Sequence, residues 1–475
     1  MIAASLHPAP VRAAFEQRRR WAFGLTGRSI VLLIAGFLCL IPGFWDGSLS
    51  YTMLVWDGLV LLAALLDGLR LPRVAELVAS RSWTNAPALD SETEIELTIE
   101  NQSRVIIECR LVDDLPTALM AEPATHRVIA YPRVPASVRY RVEPQERGDA
   151  ETGWLYMRYR SSLGLAERWA RAPLTQTVRV YPALRTGEEQ QIFLARSRQI
   201  DLQLRLTRLR GLGRDFESLR EYREGDDLRD ICWTATARRG SLITRQYQTE
   251  RSQPVWIVLD CGRLMRSRVA IVPPGRASLP AEGPRARIHS KLDHACTTAV
   301  SLAQLALYSG DRVGLLAYGQ GIQQRVLPGR GAAHLRQLIE SLALVRAEGS
   351  EADHLRATAT LNRLQPRRSL ILWITDLAES AMRPEVIDGA VQLLRRHVLL
   401  FVAMAQPEVD LIARARPKNV EQMFRTTAAQ EMAGRRELLL ARLHDQGALT
   451  LDLNPEALTS SVLNQYLTVK ERAMV

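Results

Sequence analysis

PVWIVLD, residues 254–260, is an unbroken apolar run closed by an acid, and its reading decides the architecture of the C-terminal half. A strand this uniformly apolar is buried on both faces, which calls for a parallel sheet covered on each side by helices. The pattern recurs downstream: RVGLLAY (312–318), SLILWITD (369–376) and VLLFVAM (398–404) are further apolar runs, and LTLDL (449–453) is a shorter one. Segments 291–308, 385–396, 430–444 and 455–472 space their apolar residues as helices do. The alternation predicts a doubly wound α/β domain over 254–475. Asp260 and Asp376 each close a run, and in an open parallel sheet ligands bind beyond the carboxyl ends of the strands. Two carboxylates there form a candidate magnesium site, because magnesium takes oxygen ligands and keeps several waters. Hydrogen bonds from neighbouring backbone amides account for the same acids, and both readings stand at this point. Residues 266–289, RSRVAIVPPGRASLPAEGPRARIH, hold no sustained period and read as a surface insertion beside the first acid.

Upstream the period changes. Over 74–182, EIELTIE (94–100), RVIIECRLV (104–112), HRVIAY (126–131), SVRYRV (137–142) and GWLYMRY (153–159) alternate at period two between Asn, Asp, Pro and Gly breaks. This predicts antiparallel strands of a β-sandwich-like region. Earlier still, residues 30–45 read IVLLIAGFLCLIPGFW and residues 51–66 read YTMLVWDGLVLLAALL, with Asp57 their single charge and DGSLS between them. Each run is 16 residues long, and flanking residues bring it toward the ~20 needed to span a bilayer. A two-helix transmembrane hairpin over 29–70 follows. Arg12, Arg18, Arg19, Arg20 and Arg28 precede it and Arg70, Arg73 and Arg81 follow it, while the connection carries only Asp46. The positive-inside rule then puts both termini in the cytoplasm of an inner membrane, with 1–28 as a basic leader.

The chain has 475 residues, 47% of them hydrophobic and 24% charged, with a net charge of +11. This is the composition of an α+β multidomain globular protein with a small anchor, and it excludes a disordered chain or a disulfide miniprotein. Only Lys291, Lys418 and Lys470 among the 62 basic residues are lysine. The arginines are dispersed among acids, so no nucleic-acid surface is expected, and attraction to anionic lipid is the better use of the excess. The five cysteines are scattered with no C-x-x-C pair, which argues against a disulfide framework and a zinc site.

Residues 211–252 read GLGRDFESLREYREGDDLRDICWTATARRGSLITRQYQTERS, acids and arginines interleaved around apolar anchors. The block reads either as an interdomain segment laced by ion pairs or as a docking surface, on which Arg220, Tyr222, Gly225, Asp226, Asp227, Arg229, Trp233 and Arg238 are the candidate partner-binding residues. From Gly211 to Arg238 it resembles the signature G-x-G-x-[DE]-F-x-x-L-R-x-Y-x-x-G-D-D-x-R-x-I-x-W-x-x-[ST]-A-R of the domain of unknown function 58 family. SKLDHA (290–295), GDRVGLLAYG (310–319) and RRSLILWITDL (367–377) match that family as well.

The resemblance implies a membrane-linked protein whose C-terminal domain is von Willebrand factor A-like, acting beside a MoxR-type AAA+ ATPase and its clients, often with a transglutaminase-like membrane protein. Domains of that type hold metal through D-x-S-x-S after the first strand. Such domains add a threonine from a second loop and an aspartate from a third. Here Asp260 is followed by Gly262 and Leu264 in the two serine positions, the second loop GSEADH (349–354) offers Ser350 or Asp353 in place of the threonine, and Asp376 fits the third loop, so the implied site is degenerate. The expected function is a membrane-anchored adaptor or co-chaperone rather than an enzyme. No Ser/His/Asp set, phosphate loop or dinucleotide fingerprint is present in the sequence. A metal-dependent adhesion receptor is the alternative, and a metal-assisted hydrolase built on Asp260 and Asp376 a lesser one.

Overall fold

The computed structural model describes residues 7–17, 23–38, 51–119, 125–183, 192–197, 199, 215–223, 228, 231–248, 253–271, 287–377 and 385–472. The chain divides into two units, Met1–Ala183 and Leu184–Val475. Its fold is mixed α+β.

In the first unit, β1 (Val11–Ala14) and β2 (Phe23–Leu25) precede α1 (Gly27–Gly36) and α2 (Tyr51–Arg70). Strands β3 (Leu77–Trp83), β4 (Thr93–Asn101), β5 (Ile107–Asp113), β6 (Thr125–Ala130), β7 (Ala136–Val142), β8 (Gly148–Thr152), β9 (Leu155–Ser161), β10 (Ala166–Ala172) and β11 (Gln176–Val180) follow. They form sheets of order β1-β3-β4-β7 and β2-β10-β9-β5-β6 and a β11-β8 ribbon. Leu77, Ala79, Ile95, Leu97 and Ile99 of one sheet share a buried core with Ile107, Cys109, Leu111, Met157 and Tyr159 of the other. This is the sandwich expected of period-two alternation.

Within 1–28, expected as a basic leader, two of the described stretches are sheet strands. β1 pairs antiparallel with β3, and β2 pairs antiparallel with β10. The reason lies in the alternation of Val11, Ala13 and Phe15, which pack on the core. Arg81, counted above among the flanking charges, points inward instead and is fully buried. Its Nε donates to Asp113 Oδ2 at 3.1 Å, and its Nη1 donates to the Leu174 carbonyl at 2.7 Å. A second guanidinium N–H and the Tyr140 hydroxyl also reach Asp113, so the buried charge is paired and hydrogen-bonded, the condition for tolerating it.

Helix α2 is long and apolar enough to cross a membrane, by length and composition. Helix α1 is shorter, and residues 39–50 lie outside the described residues. The two helices touch: Trp56 Nε1 donates to the Leu32 carbonyl at 2.9 Å. A Cβ on Gly36 would lie 2.5 Å from Asp57 Oδ1 and 2.8 Å from Trp56, so a larger residue would push those side chains aside. The end of α2 is clamped to the sandwich. Buried Asp67 accepts from Ser161 Oγ at 2.5 Å and from the Leu165 and Ala166 amides at 3.0 Å.

The second unit opens with β12 (Asp215–Glu221), α3 (Trp233–Arg239) and β13 (Ile243–Gln248), where β12 and β13 pair antiparallel. Then come β14 (Pro254–Asp260) and a ribbon of β15 (Arg268–Ile271) with β16 (Arg287–Ser290). The insertion expected over 266–289 is therefore strand at both ends, and its centre, 272–286, lies outside the described residues. Helix α4 (Lys291–Tyr308) begins with a capping box between Ser290 and Asp293. β17 (Arg312–Tyr318), β18 (Ile322–Gly329), α5 (Gly331–Leu344), α6 (His354–Leu364), β19 (Leu370–Thr375), α7 (Glu385–Leu394), β20 (Val398–Met404), α8 (Pro407–Arg414), α9 (Val420–Asp445), β21 (Leu449–Leu453) and α10 (Pro455–Glu471) complete the chain. The sheet order is β18-β17-β14-β19-β20-β21, with β18 antiparallel and the others parallel. Every residue of β19 and β20 is buried, as their uniform apolarity requires.

Candidate functional site

Strand β14 is first of the sheet in sequence and central in space, with β17 on one side and β19 on the other. The order of connections reverses there, and such a reversal opens a crevice at the carboxyl ends of the strands. Leu259 pairs with Ile374, so Asp260 and Thr375 end neighbouring strands at one level and Asp376 follows directly.

The two acids have different surroundings. Asp260 Oδ1 accepts from the Gly262 amide at 2.7 Å, and its Oδ2 accepts from Thr375 Oγ1 at 2.6 Å. Burial pushes its carboxyl above the ordinary range, opposed by His354 and by these two donors. Asp376 is fully buried and faces a lysine, with Lys291 Nζ donating to its Oδ2 at 2.5 Å. Gln406 Nε2 donates to both oxygens of Asp376, at 3.3 and 3.1 Å, and Arg436 lies 3.8 Å away. Lys291 is 2% exposed and is the first residue of α4.

A buried polar chain runs beside them. Trp373 Nε1 donates to the Tyr318 hydroxyl at 2.7 Å, and that hydroxyl lies 2.8 Å from His354 Nδ1. Burial drives the Tyr318 phenol well above 10 and holds His354 below its usual 6.5. A neutral imidazole accepts at Nδ1, so the Tyr318 proton points to it, since the indole can only donate. Asp353, the third expected metal residue, caps α6: its Oδ1 accepts from the Arg356 amide at 2.8 Å.

These residues do not fit a divalent ion. Asp376 is neutralised by an ammonium, Asp353 is used as a helix cap, and Asp260 is taken up by an amide and a hydroxyl. A Cβ at position 262 would lie 3.0 Å from the Ala352 amide nitrogen and 3.1 Å from Asp260 Oδ1, so the serine of a metal-binding pattern would crowd both. Sequence reasoning placed Asp260 and Asp376 at one sheet end but missed Lys291, Gln406, Arg436 and His354. The available signal for Lys291 was its rarity in a chain that uses arginine almost everywhere.

In the signature block, Arg220 lies on β12 and Tyr222 just after it, where the Tyr222 amide donates to the Leu242 carbonyl at 2.9 Å. Trp233 and Arg238 lie on α3, at the other side of a turn tied to β13 by Cys232 N–H to the Ile243 carbonyl. Trp233 is 66% exposed, and Leu228 and Leu242 of the same block are exposed as well. Gly225, Asp226, Asp227 and Arg229 lie outside the described residues.

Residues 218–270 and 278–411 match the family model described as "Protein of unknown function DUF58". Uncharacterized proteins of Mycobacterium tuberculosis (strain H37Rv, Rv1480; strain CDC 1551, MT1527) and Mycobacterium bovis (Mb1516) are 25% identical to the chain over 206 residues, 42% of this chain. The match covers 58% of the length of those relatives. Among solved structures, the conserved hypothetical protein BatB from Bacteroides thetaiotaomicron covers 46% of this chain and 100% of its own, at 14% identity and a TM-score of 0.30. An uncharacterized membrane spanning protein from Vibrio fischeri covers 46% of this chain and 98% of its own, at 12% identity and a TM-score of 0.16.

Proposed function

This chain is a member of the DUF58 family, and from that premise we propose that it is a membrane-anchored docking protein that recruits a MoxR-type AAA+ ATPase, and through it client proteins, to the cytoplasmic face of the inner membrane. A transglutaminase-like membrane protein is a further partner in this reading. Residues 29–70 form a hairpin that spans the bilayer twice, and residues 254–475 are a von Willebrand factor A-like domain.

The observation that carries the docking role is the exposed Trp233, in a block that also exposes Leu228 and Leu242 and carries Arg238 five residues further along the same helix. Large exposed aromatics flanked by arginine are the residues that dominate protein–protein binding energies. The hairpin is supported by strand pairing. β1 and β2 precede the helices and β3 and β10 follow them, yet they pair with one another. This pairing supports a reading in which both flanks lie on one side, and the arginines around the helices favour the cytoplasm as that side. The adhesion-receptor alternative is disfavoured by Lys291, which neutralises an acid that a metal would need.

Affinity capture of the tagged full chain from membranes, with and without ATP, tests the proposal. The ATPase is expected to co-purify, and Trp233→Ala combined with Arg238→Ala to reduce its recovery about tenfold or more. Equal recovery with the double variant, or none with the wild type, contradicts it.

A further inference from the structure

The crevice at the ends of β14 and β19 already holds a cation, and it belongs to the chain. Lys291 and Asp376 are 2% and 0% exposed and meet at 2.5 Å. A buried carboxylate needs a compensating charge. A metal domain of this architecture would supply it with a divalent ion, whereas here α4 supplies it with its first side chain. The choice of residue fits. The chain uses arginine for all but three of its 62 basic residues, yet lysine stands at this point, where a compact charge on a flexible stem reaches what a planar guanidinium fits poorly. The pairing recurs elsewhere in the unit, where Lys470 approaches buried Asp311 at 3.4 Å.

We propose that the Lys291 ammonium is the resident cation of this sheet end, so that the domain assembles and presents its crevice without divalent metal, and that removing the amine turns the Asp260–Asp376 pair into a divalent-cation site. Three features support this beyond the ion pair. A magnesium ion bound to Asp376 would need oxygen ligands about 2.1 Å away, and a second positive charge on the same carboxylate repels it. Position 262 has no room to spare for a serine ligand, with the Ala352 amide nitrogen 3.0 Å from a Cβ built there. Gln406 completes Asp376 with a neutral amide rather than a third acid. The inference does not rest on the docking proposal, because it concerns the charge balance of the crevice and stands whether or not an ATPase is recruited.

The test uses the full chain in detergent and follows thermal unfolding in EDTA, in 5 mM magnesium chloride and in manganese chloride, with manganese binding read separately by paramagnetic resonance. The wild type is expected to unfold at the same temperature in all three media and to bind no manganese in the crevice. Lys291→Ala is expected to lose about 10 °C in EDTA, the effect of removing the nearer of the two cations beside a buried carboxylate, and to regain about half of that in magnesium or manganese. Lys291→Met combined with Asp376→Asn removes both charges. It is expected to fold and to ignore the metals, which keeps the test decisive should Lys291→Ala not accumulate, since the wild-type and double-variant readings remain. A wild type stabilised by magnesium, or bound to manganese in a manner abolished by Asp376→Asn, overturns the proposal. So does a folded Lys291→Ala that gains nothing from either metal, or a double variant that still responds.

Discussion

Asp260 and Asp376 sit at the same end of neighbouring strands, yet one faces hydrogen-bond donors that carry no charge and the other faces an ammonium. A buried acid with only neutral donors is held above its ordinary range, while a buried acid against lysine is balanced in place. The histidines make the pH behaviour testable. Burial lowers His354, His126 and His397 from 6.5, with Arg396 adding to the effect on His397. The unfolded chain then binds protons below about pH 6.5 that the folded chain refuses, so stability falls as pH drops from there through the folded values. The melting temperature is expected to decline between pH 7.5 and 5.5, and His397→Gln to flatten that slope. A slope unchanged by the substitution would remove His397 from the account. The acids were legible in the sequence because a strand ending in Asp is a local pattern. Their partners were not, because Lys291 lies 85 positions from Asp376 and meets it only through the fold.

At the scale of elements, the junction between α2 and the sandwich is held by a cluster of polar contacts. Asp67 takes three donors from the turn between β9 and β10, and Arg168 donates to the Gly68 and Pro72 carbonyls at 2.9 and 3.2 Å. The last turn of α2 is thereby fixed to the sheet. Asp67→Ala leaves two amides and a hydroxyl without their acceptor in a buried place and is expected to cost about 3 kcal/mol, read by denaturant unfolding in detergent. Asp67→Asn, which keeps an acceptor, is expected to cost less. Equal and negligible losses would mean that the clamp is not structural. In the sequence this acid stands one residue past the apolar run 51–66, with nothing local to mark its partners. The same limit affected Arg81: a basic residue soon after a hydrophobic stretch reads as a topology signal, and only the burial of alternate residues in β3 reveals it as a core ion pair. By contrast the strands themselves were legible, because β4 alternates buried and half-buried positions without interruption.

At the scale of the whole molecule, the first unit holds an apolar helix pair and a sandwich built from both sides of that pair, and the second is an α/β unit with an internally neutralised crevice and the proposed docking surface. The apolar periodicities carried the sheets, since burial is written residue by residue in their sequences. They did not carry the pairing of residues 11–14 and 23–25 with strands that lie beyond the helices, which is a long-range contact made by short segments. The proposed two-pass topology requires both flanks of the helices on one side, and its most direct test is the topology of the intact protein in cells. Fusions at the C-terminus and before residue 11 to a fluorescent protein that folds only in the cytoplasm, and to an alkaline phosphatase active only outside it, give the reading. The account predicts fluorescence and no phosphatase activity at both ends, with the protein in the membrane fraction. Phosphatase activity at either end, or full recovery in the soluble fraction, would contradict it.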